Sequence, residues 1–243
     1  MKAMIFAAGL GTRLKPLTDS MPKALARVAN KPLLQHTIET LKAAGFDEII
    51  INIHHFGEQI IDFVQAHNAF GIRIEFSDER EQLLNTGGGI KKAARFFDDG
   101  KPFLIHNVDI FSNVDLRQLY TTHLNNKAAA TLVVSERATT RYLLFDEKAT
   151  LCGWINKKTG ETKSHIPDFN PASYKEYAFS GIHVLSPSNF KHMHKFPDKF
   201  SIIDFYLAIS REETIKAYVL KNLSVVDIGK IDTLKKLNKT IDF

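Results

Sequence analysis

Thr12, Arg13 and Lys23 bring a hydroxyl and two cations together around a glycine-rich turn, which is the side-chain chemistry of a phosphate site. The turn leaves a buried apolar strand at Met4–Ala8 and reads Gly9-Leu10-Gly11-Thr12-Arg13-Leu14-Lys15-Pro16-Leu17-Thr18, with Pro22-Lys23 after it. Gly9 and Gly11 accept positive φ and let backbone N–H groups approach an anion closely. Two aspartates far away in the chain bear on the same chemistry. Asp109 follows a buried apolar strand, where a carboxylate is costly unless it is hydrated, hydrogen-bonded or bound to a metal. Asp227 closes another strand and precedes Ile228-Gly229, which allows backbone or phosphate to come close. Together they are candidates for a Mg²⁺ site; singly, each fits a turn or helix-capping aspartate at least as well.

The elements that would position these groups follow from apolar periodicity. Pro32 starts a helix whose stripe is Leu33, Leu34, Thr37, Leu41 and Ala44, ended by Gly45. Glu48–Ile53 is a β-branched run without polar alternation, as in a strand covered on both faces. A helix over Glu58–Ala69, a strand over Ile72–Phe76, a helix over Ile90–Phe97 and a strand over Pro102–Ile105 repeat the pattern. Right-handed crossovers make such strands parallel and gather the loops after Ala8, Phe76 and Ile105 at one edge, where open α/β sheets bind ligands. From Ala129 strands dominate, at 129–135, 141–145, 151–155, 177–185, 215–220 and 224–228. The polar stretch Asn156–Lys175 reads as a long loop that serves as a lid or binding loop.

The fold class is therefore α/β: a Rossmann-like mixed, mostly parallel central sheet flanked by helices, with a strand-rich C-terminal half forming the acceptor site. One domain of 243 residues is expected, with residues 1–128 as the nucleotide-binding half and 129–243 as the sugar-binding half. The formal charge of +5 is scattered, with only short pairs such as Lys157-Lys158 and Lys235-Lys236, so neither nucleic acid nor a membrane is indicated as a partner. No apolar run approaches the ~18 residues of a spanning helix. A single cysteine, Cys152, excludes an intramolecular disulfide framework and a multi-cysteine zinc site, which suits a reducing cytoplasm. Homo-oligomerisation is left open.

Two familiar phosphate loops fail on detail. A Walker loop needs a glycine-lysine order that is absent, and a dinucleotide fingerprint needs glycine where Leu14 stands and an acidic residue where His54-His55 end the next strand. The opening motif Ala7-Ala8-Gly9-Leu10-Gly11-Thr12-Arg13-Leu14-x-Pro16-Leu17-Thr18 with Pro22-Lys23 instead resembles the signature of the sugar-1-phosphate nucleotidyltransferases, or nucleotide-sugar pyrophosphorylases. The resemblance continues through Lys31-Pro32-Leu33, Thr86-Gly87-Gly88-Gly89, Asp109, Phe179-Ser180-Gly181 and Val226-Asp227-Ile228-Gly229. Within the family the chain looks most like the N-acetylmuramic acid 1-phosphate uridylyltransferases, which make cell-wall precursors.

The resemblance implies a reaction between a nucleoside triphosphate, UTP foremost, and a sugar 1-phosphate, giving a nucleotide sugar and pyrophosphate with Mg²⁺ as cofactor. It implies that Arg13 holds the β and γ phosphates, that Lys23 neutralises charge at the α-phosphorus, and that Asp109 and Asp227 carry the metal. It places the nucleotide on Ala7, Ala8, Gly9, Leu10, Gly11, Thr12, Gln82 and Gly88, with Asn85 as a further contact, and the sugar on Asn107, Phe179, Ser180 and Gly181. Two departures stand out: Val108 occupies the usual glycine before the first metal aspartate, and the Glu-Lys-Pro segment that holds the sugar phosphate in many relatives is missing. Lys157, Lys158 and Lys163 are candidate substitutes. Gly87–Gly89 also fit a tight helix entry, and His54-His55, His192, His194 and Cys152 read as structural residues. Two rivals remain: a phosphocholine-type cytidylyltransferase with Trp154, Tyr174, Tyr177 and Phe179 as an aromatic cage, and a non-catalytic nucleotide-sugar sensor.

Overall fold

In the computed structural model, which describes residues 1–220, 223–229, 231–234 and 237, the elements run in chain order β1 (Lys2–Phe6), β2 (Arg27–Val28), β3 (Lys31–Pro32), α1 (Leu33–Ala43), β4 (Glu48–Ile53), α2 (Gly57–Ala66), β5 (Arg73–Asp78), α3 (Asn85–Ala93), β6 (Phe103–Asn107), β7 (Ile110–Ser112), α4 (Leu116–Asn126), β8 (Ala130–Ser135), β9 (Arg141–Phe145), β10 (Leu151–Asn156), β11 (Thr162–Ser164), β12 (Lys175–Leu185), α5 (Phe190–Met193), α6 (Ile202–Ile209), β13 (Ile215–Val219) and β14 (Val225–Asp227). The pair Lys235-Lys236 lies outside the described residues. Contacts group the chain into two units: Met1–Leu84 with Ile105–Arg117 and the segment from Ser224, and Asn85–Leu104 with Gln118–Leu223. Among the described residues no helix is long and apolar enough to cross a membrane. The architecture is mixed α/β, with a central, mostly parallel sheet flanked by helices.

In the first unit β4 lies between β1 and β5, parallel to both, and β1 separates it from β6. Ile49, Ile50, Ile51 and Ile53 are all buried, as a strand covered on both faces requires. Helix α1 buries Leu33, Leu34, Thr37, Ile38 and Leu41, and Pro32 precedes it in an extended conformation. Helix α2 stops at Ala66 rather than at the expected Ala69. Asn68, Ala69 and Phe70 take positive φ, and the turn stacks His67 on Phe70 with ring centroids 5.2 Å apart. Beyond the parallel strands, β7 pairs antiparallel with β14, placing Ile110 opposite Asp227.

In the second unit β12 pairs antiparallel with both β8 and β9, β10 lies between β9 and β11, and β13 runs parallel to β8. Three features depart from the sequence reading. Helix α3 starts at Asn85, so Gly87, Gly88 and Gly89 lie inside it, buried. Phe200 explains this: its carbonyl accepts from the N–H of Gly87 at 2.9 Å and of Gly88 at 3.3 Å, satisfying donors that a helix start leaves open. Its ring also occupies the space where a Cβ on Gly87 would lie. The stretch Asn156–Lys175 is not one long loop, because Thr162–Ser164 forms β11 and pairs with β10. Gly153 makes room for this hairpin, since a Cβ there would meet Phe169 at 2.5 Å and the Lys163 carbonyl at 2.9 Å. Finally, helices α4 and α6 lie in stretches to which the sequence assigns no element, before the strand at 129–135 and between those at 177–185 and 215–220. The eight residues of α6 are nearly all apolar, and Ser201 caps its start by accepting from the Ile203 N–H at 3.2 Å.

Candidate functional site

The opening loop departs from β1 as Ala7 and Ala8, which are buried, and emerges at Gly9, Leu10, Thr12 and Arg13, which are exposed. A Cβ on Gly9 would meet nothing within 4 Å, so this stretch of backbone faces open space. Gly11 has φ +63°, and a Cβ there would come within 2.8 Å of the Thr18 methyl and 3.0 Å of Lys23 Cβ. The turn is thus folded tightly over Thr18, whose hydroxyl donates to the Gly11 carbonyl at 2.9 Å. Leu14 donates its N–H to the same carbonyl at 2.8 Å and is buried as the loop's anchor. Local packing therefore fixes the loop on one side and leaves Thr12 and Arg13 presented on the other.

Lys23 follows Pro22 and directs its ammonium onto Asp109 Oδ2 in a direct ion pair, with side chains only 12% and 16% exposed. Asp109 sits in the turn between β6 and β7, and its carbonyl accepts from the Ile228 N–H at 2.9 Å. That bond, with the β7–β14 pairing, ties the turn bearing Asp109 to the strand end bearing Asp227. Gly229 adds the last member: a Cβ there would meet the Arg13 guanidinium at 2.5 Å and Asp227 Oδ1 at 2.6 Å. Arg13, Lys23, Asp109 and Asp227, drawn from residues 13–227 of the sequence, are gathered in the first unit. Val108 is buried, donates its N–H to the Phe6 carbonyl and accepts from Thr37 Oγ1, so this side chain packs inward.

Among the described residues no group of three or more His, Cys, Asp and Glu side chains is arranged to hold a metal. Two carboxylates on linked strand ends nevertheless fit Mg²⁺, which is commonly held by one or two carboxylates, with substrate phosphates and waters completing the shell. Nearby, burial pushes His106 down to about 4, against the opposing effects of the Asn107 carbonyl and the Asp109 charge. Its imidazole is neutral at pH 7.

Two residues outside the sequence-based site join its parts. Asn52, the polar residue within the buried run of β4, accepts from the Ala7 N–H at 2.7 Å and the Ala8 N–H at 3.2 Å. Its amide donates to Glu79 Oε1 at 2.7 Å, and Glu79 Oε2 accepts from the Leu84 N–H at 3.1 Å. Glu79 is fully buried. The signal was present: a polar residue inside an isoleucine run needs hydrogen-bond partners. The N–H groups of Ala7 and Ala8 are thereby engaged.

The other candidates are distributed as follows. Gln82 is exposed on the 79–84 turn and Asn107 is half-buried at the end of β6. In the second unit Asn85 is exposed at the start of α3 and Gly88 is buried within it. Phe179, Ser180 and Gly181 lie where the β12–β8 register shifts, Gly181 with φ +81°. Ser180 donates its hydroxyl to the Val133 carbonyl at 2.8 Å. Two of the three candidate sugar-phosphate lysines have other partners: Lys157 pairs with Glu176, and Lys163 reaches Asp204 at 3.0 Å and lies over the Trp154 ring. The rings of the imagined amine cage also pair elsewhere, Tyr174 with Phe169, Tyr177 with Phe145 and Phe179 with His183.

A family model described as nucleotidyl transferase matches residues 2–242. The N-acetylmuramate alpha-1-phosphate uridylyltransferase of Caulobacter vibrioides is 45% identical over 109 residues, 44% of this chain and 45% of that protein. A mannose-1-phosphate guanyltransferase of Yarrowia lipolytica is 32% identical over 191 residues, 77% of this chain and 50% of that protein. The aligned regions thus span about half the length of these curated relatives. Among solved structures, HddC from Yersinia pseudotuberculosis complexed with GMP-PN is similar with a TM-score of 0.76 and 26% identity, over 99% of each chain. With the family model extending over nearly its whole length, the chain belongs to the nucleotidyl transferase family.

Proposed function

We propose that this protein transfers a nucleotidyl group from a nucleoside triphosphate, UTP foremost, to a sugar 1-phosphate, releasing pyrophosphate. The observation that carries the reading is the gathering of Arg13, Lys23, Asp109 and Asp227 in one unit beside an outward-facing glycine loop. A phosphomonoester is largely ionised near neutrality, its second pKa being about 6. The sugar phosphate is therefore its own nucleophile, and the protein's task is to bring anions together and align them.

Arg13, exposed at the loop's tip, binds the β and γ phosphates. Lys23 neutralises negative charge at the α-phosphorus, and the N–H groups from Leu10 to Thr12 complete the cradle. Asp109 and Asp227 would hold Mg²⁺, which would supply neutralisation of phosphate charge when bound. Ala7, Ala8 and Gln82 in the first unit, and Asn85 and Gly88 in the second, are assigned to the nucleotide. Asn107 and the register shift at Phe179, Ser180 and Gly181 are assigned to the sugar. The nucleotide-binding half is assigned to residues 1–128 and the sugar-binding half to 129–243, with Asn107 a sugar contact supplied by the first, and a cytoplasmic setting suits the reaction.

UTP is favoured by the uridylyltransferase relatives, whereas the guanyltransferase relatives make GTP the base to test against it. The experiment offers UTP, GTP, CTP, dTTP and ATP with a panel of sugar 1-phosphates, phosphocholine and Mg²⁺, and measures pyrophosphate. One triphosphate and sugar pair should react well above an Asp109→Asn control. Reaction with none, or equal reaction by the control, sinks the reading.

A further inference from the structure

We propose that Asn52 and Glu79 are positioning residues that set the spacing of the nucleobase cradle and thereby its choice of base. The inference rests on the proposed reading of Ala7, Ala8 and the 79–84 turn as base contacts. The N–H groups of Ala7 and Ala8 can only donate, so the Asn52 atom facing both is its oxygen. The Asn52 NH₂ must then face Glu79, which accepts it at 2.7 Å. The Leu84 N–H also only donates, so Glu79 accepts at both oxygens. The result is one continuous connection: the end of β1, Asn52 on β4, Glu79 just past β5, and the far end of the turn that carries Gln82.

Its placement gives it leverage. Asn52 and Glu79 are 3% and 0% exposed, so neither touches a ligand directly. Glu79 further braces its own turn, donating its N–H to the Ile53 carbonyl at 2.8 Å and accepting the Gln82 N–H at 3.0 Å. The Ala7–Ala8 strand end is thus linked through Asn52 to the buried Glu79 carboxylate and on to the Leu84 N–H, while Gln82 is held by the main chain of the same residue. A shift of either partner moves Gln82 relative to that strand end, and base discrimination depends on where such groups lie. A buried polar site rejects the wrong partner chiefly by leaving groups unpaired.

The connection has a directionality that can be exchanged without changing side-chain shape. Asn52→Asp sets a carboxylate oxygen against Glu79, and Glu79→Gln sets an NH₂ group against either the Asn52 amide or the Leu84 N–H. The double variant N52D/E79Q restores these four bonds: Asp accepts from Ala7, Ala8 and the Gln amide, while the Gln oxygen accepts from Leu84.

Calorimetric affinity for the five nucleoside triphosphates, and kcat/KM for each, are measured on the wild type, both single variants and the double. Each single variant should bind the preferred triphosphate ~10-fold more weakly and lose a similar factor of base discrimination. The double variant should return to within ~3-fold of wild type in both. Singles that lose thermal stability while keeping affinity and discrimination, or a double no better than the singles, overturn the inference. Should a single variant fail to fold, the double, with all four bonds remade, still decides. A wild type that binds none of the five removes the base-cradle reading itself and this inference with it, whereas a wild type that discriminates alongside equally discriminating variants removes only the inference.

Discussion

Gly229 in the first unit and Gly87 in the second each occupy a place where a Cβ would clash, yet what crowds them differs in kind. Gly229 is crowded by the Arg13 guanidinium and the Asp227 carboxylate, polar ends of exposed side chains. Gly87 is crowded by the ring of buried Phe200, at 2.3 Å from an ideal Cβ. The buried polar groups divide the same way. In the first unit, Lys23–Asp109 and Asn52–Glu79 bring carboxylates to the ends of strands. In the second, His123 lies between Thr131 Oγ1 and Ser186 Oγ, at 2.9 and 3.0 Å. Ser186 donates to the Ala128 carbonyl and so accepts from His123 Nε2–H, which leaves Nδ1 to accept from Thr131: a neutral, closed arrangement. These groups of the first unit place carboxylates beside the opening loop and its neighbouring turn, whereas those of the second hold α4 to β8.

The largest expected effect tests the charged side of that contrast. Lys23→Met should lower turnover on the order of 10²–10³-fold, the loss typical of one electrostatic partner in phosphoryl or acyl transfer. It also strands Asp109, and removing one partner of a mostly buried pair costs about 3 kcal/mol. Added Mg²⁺ should restore more stability to the variant than to the wild type, because the metal takes the place of the missing ammonium. Denaturant unfolding with and without Mg²⁺ checks this, and an equal response in both proteins would break the assignment.

Next comes the neutral side. Burial pushes His123 down to about 4, as it does His106. Each folded-state value lies below the ordinary 6.5, so between these values the unfolded chain binds more protons and stability rises with pH. The contribution is complete above about pH 6.5 and is lost as pH falls toward about 4, on the order of 3 kcal/mol for each histidine. His123→Gln should remove its share of this acid loss, leaving a shallower slope in unfolding free energy measured from pH 7 to 4.

The glycines themselves supply the third test. Gly87→Ala forces a methyl into a packed aromatic ring and should cost about 1–3 kcal/mol of stability. Gly229→Ala only displaces flexible side-chain ends, so unfolding should change by under about 1 kcal/mol while kcat falls ~10-fold through misplacement of Arg13 and Asp227. If the two alanines exchange these signatures, the division of labour between the units is wrong.

How far the sequence carried this picture depends on whether each feature is local. The parallel strands and α1 were legible because isoleucine runs and a helical stripe are contiguous. Lys23 and Asp109 were legible as candidates by type and position. That they touch was not, since 86 residues separate them. The Asn52–Glu79 connection was hidden for the same reason. Helix α6 escaped because an almost uniformly apolar segment has no period to read, and β11 because its Thr-Lys-Ser sequence is polar and largely exposed. The glycines inside α3 contradict helix propensity, and only the distant Phe200 makes sense of them.

The smallest effect concerns the lysines first considered for the sugar phosphate. Lys163 is 45% exposed, pairs with Asp204 at 3.0 Å and lies 5.3 Å from the Trp154 ring centroid. Exposed pairs contribute about 0–1 kcal/mol, and an exposed cation over a ring adds about as little. Lys163→Ala should therefore shift stability by under about 1 kcal/mol, and raised salt should erase most of the difference. Its effect on KM for the sugar 1-phosphate is the sharper readout. If the lysine serves only the β10–β11 hairpin, KM stays within ~2-fold of wild type, since screened surface electrostatics is all that changes. A KM rise of ~10-fold with unchanged stability would instead mean that Lys163 leaves Asp204 for the substrate's phosphate, and would give the second unit a charged role in the chemistry.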